Sequence, residues 1–159
     1  MTVSITATVN PANNRVEART VDSHLVSMDS DEPEGVGQAA GPKEVLLAAL
    51  AGCTSMDVAS ILRKKRQTAT AYQLVVSGET AADHPRVFTS IQVEHRVEGD
   101  VSALALRRAI ELSATRYCPV NAMLAAGVTI EHRYRLTGAD GARREERVVV
   151  TGPAGSSVP

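Results

Sequence analysis

The chain has 159 residues, 17 Lys and Arg against 18 Asp and Glu, and a formal net charge of −1. That length is most simply one domain, and the near-neutral balance excludes broad electrostatic attraction to nucleic acid or to an anionic membrane. With no Trp, one Phe and three Tyr, the core must be built from Leu, Val, Ile and Ala, which bury less area each; this is a first indication that a second copy helps to close it. The N-terminus shows no apolar signal segment, so the expected location is the cytoplasm.

Taken in order, Val3 to Val9 alternates with period two and predicts a strand; Asn10 to Asn14 is a turn cluster. Arg15 to Thr20 and Ser23 to Met28 predict two further short strands. Asp29 to Gly41 has no periodicity and is expected to be a loop. Gly41 to Arg66 is the longest apolar-periodic run. Pro42 stands where a helix tolerates proline best, and Arg63, Lys64, Lys65 and Arg66 lie where its C-terminus is electronegative. Apolar side chains on nearly all sides predict a helix buried in a core, too often interrupted by Gly, Lys and Asp for a membrane span.

Beyond it, Ala71 to Glu79 and Val87 to Glu98 predict strands. The second places Val87, Thr89, Ile91, Val93, His95 and Val97 on one face. Gly99-Asp100 is expected to end it. Ser102 can cap a helix through about Thr115, Val120 to Ala126 a short one stopped by Gly127, and Val128 to Leu136 alternates as a final strand. Runs of strands separated from helices indicate an α+β fold with a largely antiparallel sheet. Residues 1–137 are expected to form a single domain and 138–159 a largely flexible tail, dispensable for stability.

Cys53 and Cys118 are the only cysteines, 65 positions apart and in no Cys-x-x-Cys arrangement. A zinc site would need two more ligands, and His24, His84, His95 and His132 show no ligand spacing to the cysteines. No metal or other cofactor is expected. The thiols are either inert core residues or a redox pair. Cys118 precedes Pro119 at the start of the short helix, a position that favours thiolate. Cys53 is mid-helix with Asp57 one turn on, so its activation must come from a cation elsewhere in the fold.

The segment Pro42 to Cys53 (PKEVLLAALAGC), followed by Cys118-Pro119-Val120, resembles the OsmC/Ohr family, the osmotically inducible and organic hydroperoxide resistance proteins. The resemblance covers about Val3 to Leu136. It implies an intertwined homodimer with antiparallel sheets packed on long central helices, and a peroxiredoxin-like, metal-free reduction of organic hydroperoxides in oxidative-stress defence. Cys53 would be the peroxidatic thiol and Cys118 the resolving one, with an external dithiol as reductant. The family's active peroxidases place a catalytic Glu directly after the Pro, where this chain has Lys43. Glu44 is the neighbouring acid, but nine residues at about 100° each set it opposite Cys53 on a straight helix. The family's catalytic Arg comes from the N-terminal strands, where Arg15 and Arg19 are the candidates. The replacement of Glu by Lys43 points to a second function: a non-catalytic dimer that binds a small apolar or thiol-reactive ligand at its interface.

Overall fold

A computed structural model describes residues 2–153 except 32 and 34. Two compact units divide between Leu46 and Leu47. In the first, β1 (Ile5–Val9), β2 (Val16–Thr20) and β3 (Leu25–Met28) form an antiparallel meander, as the three short alternating runs predict. Its loop is organised by Asp29, whose carboxylate accepts the backbone N–H groups of Ser30, Val36 and Gln38. Those bonds, led by that from Gln38, hold the carboxyl below its usual range.

Helix α1 (Pro42–Lys64) has the predicted bounds to within two residues. Its packing differs from expectation. In one chain only Leu50, Thr54, Val58 and Leu62 are buried, a single stripe at i, i+4 spacing. Met56 is 74% exposed. The remaining apolar faces are uncovered or half-covered by this chain.

The second unit holds a four-stranded sheet in the order β4-β5-β6-β7: β4 (Thr68–Thr80), β5 (Phe88–Asp100), β6 (Thr129–Gly138) and β7 (Arg143–Thr151). The sheet is largely antiparallel, as expected, with one exception at its centre, where β5 and β6 run parallel. The reason is the crossover between them, α2 (Ala103–Leu112), a π-helical turn (Ser113–Tyr117) and α3 (Pro119–Ala125), which returns the chain to the end of the sheet from which β5 started. Gly99 does not end β5. At φ +125° it sits against Thr68 and Ala69, where a Cβ would meet the Thr68 carbonyl, and the ladder continues past a bulge to Asp100.

The tail expectation is also corrected. β7 pairs antiparallel with β6, and Val148, Val149 and Thr151 are buried. A register shift opposite His132/Arg133 turns two successive residues inward, which breaks the alternation a strand normally displays. Residues 154–159, the end of the expected flexible tail, lie outside the described residues. Two buried clusters pack on the sheet: Val58 and Leu62 join α2, β6 and β7 in one, while Leu50 joins Ile91, Val93, Cys118 and Ile130 in the other.

Candidate active site

Cys53 projects from the middle of α1 at intermediate burial, beside the second cluster. Cys118 is the N-cap of α3 and is 3% exposed. Its sulfur fills the role usually taken by a Ser, Thr or Asp oxygen, accepting the Asn121 N–H at 3.3 Å. Thr54 Oγ1 donates to the same sulfur at 3.6 Å. The two thiols and the Asp57 carboxylate converge, with one ligand atom from each lying within 4.8 Å of the others. Ser113 Oγ donates to Asp57 Oδ2 at 3.0 Å. That hydroxyl is placed by the π-helical turn, closed by the Cys118 N–H to the Ser113 carbonyl at 2.9 Å; such turns are enriched at functional sites.

Electrostatics set the resting state of the pair. Burial, then the hydrogen bond with Cys118, pushes the Cys53 thiol up to about 11; the Val120 N–H opposes this, and Asp57 adds repulsion. In the isolated chain Cys53 is therefore a protonated thiol at neutral pH, as the Asp57 spacing foreshadows.

A buried polar chain runs from the sheet to Cys118, and none of its members stood out as functional in the sequence. Both side-chain N–H bonds of Asn121 are committed, to the Ala114 carbonyl at 2.8 Å and to Thr151 Oγ1 at 3.2 Å. Asn121 Oδ1 is thus an acceptor, and His132 Nε2, 2.9 Å away, must carry a proton. Burial depresses His132 to about 4, so the ring is neutral and its Nδ1 accepts. It accepts from His95 Nε2 at 3.4 Å. His95 is likewise neutral, depressed first by burial and then by His132, which leaves its Nδ1 to accept the Tyr72 hydroxyl at 2.8 Å. The direction of every bond is fixed by the two committed N–H bonds at one end. The available sequence signal was the placement of His95 and His132 at inward positions of β5 and β6, among residues that are otherwise apolar.

Residues 35–133 match the family model described as OsmC-like protein. The chain belongs to the OsmC-like family. Protein YhfA of Escherichia coli strain K12 is 37% identical over 117 residues, 73% of this chain and 85% of YhfA. Among solved structures, an OsmC-like protein from Mycoplasma pneumoniae superposes with a TM-score of 0.75 at 19% identity, covering 86% of this chain and 97% of the other. The organic hydroperoxide resistance protein OhrB of Bacillus subtilis gives 0.61 at 13%, covering 84% and 98%. These two likenesses show the fold.

Within this OsmC-like chain the other candidate residues have local partners. Glu44 Oε2 accepts the Gly41 N–H at 2.7 Å, the return half of a capping box at the start of α1. Its observed bond is structural. Arg19 pairs with Glu17 at 3.6 Å on β2, and Arg15 Nη1 donates to Gln38 Oε1 at 3.4 Å. Both arginines, with Glu44, belong to the first unit, and the two cysteines with Asp57 to the second. The group that could hold a metal ion among the described residues is Cys53, Asp57 and Cys118.

Proposed function

We propose that this OsmC-like protein reduces organic hydroperoxides through Cys53 and Cys118, as a cytoplasmic homodimer recharged by an external dithiol. The observation that carries the reading is the convergence of the two sulfurs in a half-covered position, with apolar Leu50 and Val120 beside them. Cys53, the more accessible thiol, attacks as thiolate the terminal peroxide oxygen. The O–O bond breaks, the alkoxide leaves and takes a proton, and Cys53 becomes a sulfenic acid. Cys118 then attacks the Cys53 sulfur and displaces the hydroxyl as water, closing a disulfide. An external dithiol exchanges with it and restores both thiols. Apolar surroundings favour a bulky alkyl peroxide over hydrogen peroxide. Lys43 stands in place of the family Glu, and the raised Cys53 thiol needs a cation the described residues do not pair with it. Activity is therefore expected to be weaker than in a dedicated peroxidase.

The test is consumption of cumene hydroperoxide with dithiol supplied. Cys53→Ser abolishes it, whereas Cys118→Ser permits one turnover and leaves a sulfenic acid on Cys53 that a dimedone-type probe traps. The protonated resting state of Cys53 favours a second reading, a dimer that binds a small apolar or thiol-reactive ligand without turnover. Wild type and Lys43→Glu both failing to consume hydroperoxide would select it.

A further inference from the structure

We propose that Cys53, Asp57 and Cys118 form a three-ligand site for zinc(II), filled when both cysteines are reduced. This rests on the ligand geometry and not on peroxidase activity. Two ligands come from one helix face at i and i+4, and the third from the N-cap of a separate helix. A tetrahedral zinc with sulfur at about 2.3 Å and oxygen at about 2.0–2.2 Å sets its ligand atoms roughly 3.5–3.8 Å apart. The observed separations, none beyond 4.8 Å, need a contraction of at most about 1.3 Å.

Neighbouring hydrogen bonds hold two of the three ligands. The Ser113 hydroxyl orients the Asp57 carboxylate, while the Thr54 hydroxyl and the Asn121 N–H both point at the Cys118 sulfur. Outer contacts of this kind fix ligand direction and steady negative sulfur. Once both thiol protons have left, two thiolates and a carboxylate would carry three negative charges, and among the described residues no Lys or Arg forms an ion pair with Asp57. A divalent cation relieves that repulsion, and thiolate ligation selects zinc over magnesium or calcium. Asp57 also lines a groove of about 500 Å³ with Ile61, Lys64, Leu112 and Tyr117. With three protein ligands, a four-coordinate zinc would take water or a small anion as its fourth. Binding replaces two thiol protons, so two protons leave for each zinc bound.

The experiment is titration of the full-length, phosphine-reduced, chelator-treated protein with cobalt(II), then zinc(II), without hydroperoxide. The expected result is one cobalt per chain with a sulfur-to-cobalt charge-transfer band, displacement by zinc, and release of two protons. Asp57→Asn keeps the side-chain shape and should weaken zinc binding about 10–100-fold. Cys53→Ser and Cys118→Ser should each reduce the band. Absence of the band in reduced wild type, or unchanged zinc affinity in Asp57→Asn, overturns the proposal. Neither result bears on hydroperoxide consumption, which is assayed on metal-free protein.

Discussion

His132 shows how much one buried side chain can couple the fold to pH. An unfolded histidine titrates near 6.5, and in the fold His132 is depressed to about 4 by burial. Between those values the unfolded chain takes up the proton and the folded chain does not. Stability is therefore complete above about 6.5 and is lost as pH falls towards 4, with a single such group worth on the order of 3 kcal/mol across the window. His95 acts in the same direction. We expect denaturant stability to fall measurably from pH 6.5 to 5, above the range in which most carboxylates titrate. His132→Gln, which can still donate to Asn121, should flatten the slope. A wild-type stability independent of pH over that interval would contradict the neutral histidine chain. The sequence placed His95 on the apolar face of its strand but did not bring His132 to it: β5 and β6 are brought side by side by a parallel pairing that no local pattern announces. For the cysteines, the pairing of Cys53 with Cys118 was implied by the family resemblance, and only their local settings were legible. Capping chemistry and helical spacing are local, and they placed Cys118 at an N-cap and Asp57 one turn from Cys53.

At the scale of elements, β7 carries the largest correction. Its first half, Arg143 to Arg147, is charged and mostly exposed, which conceals a strand from a search for apolar alternation. In the sheet the last three of those charges have partners: Arg135 pairs with Glu145, Arg147 with Glu131, and Glu146 takes both Arg107 and the Tyr134 hydroxyl. The bulge then presents Val148 and Val149 together to the core. The first helices and strands were legible because each carries its own periodicity and caps, whereas β7 is specified by pairing across the sheet. Truncation after Thr137 should consequently lower the melting temperature sharply or prevent folding. Val149→Ala alone should cost roughly 2 kcal/mol. A truncated chain that melts with wild type would show that β7 adds nothing to the sheet.

For the whole molecule, the uncovered side of α1 predicts a dimer. The buried stripe of Leu50, Thr54, Val58 and Leu62 occupies one side of the helix. Leu46, Ala49, Cys53 and Met56 follow 3-4-3 spacing and fall together on another side, and of these Leu46, Ala49 and Met56 are exposed. By length and hydropathy α1 could span a bilayer, but its buried stripe belongs to two core clusters shared with strands and helices, which marks a core helix missing part of its cover. A second copy of the chain is expected to supply that cover; because Cys53 lies on the same side, such a partner would lie beside the sulfur. It would also be the natural source of a cation for Cys53. Sedimentation should find a homodimer at micromolar concentration. Met56→Glu introduces a charge on that side while leaving Cys53 and Cys118 in place; it should dissociate the dimer and lower hydroperoxide consumption together. A stable, folded wild-type monomer at that concentration would sink the dimer, and a Met56→Glu monomer with full activity would show that the partner contributes nothing to the thiol.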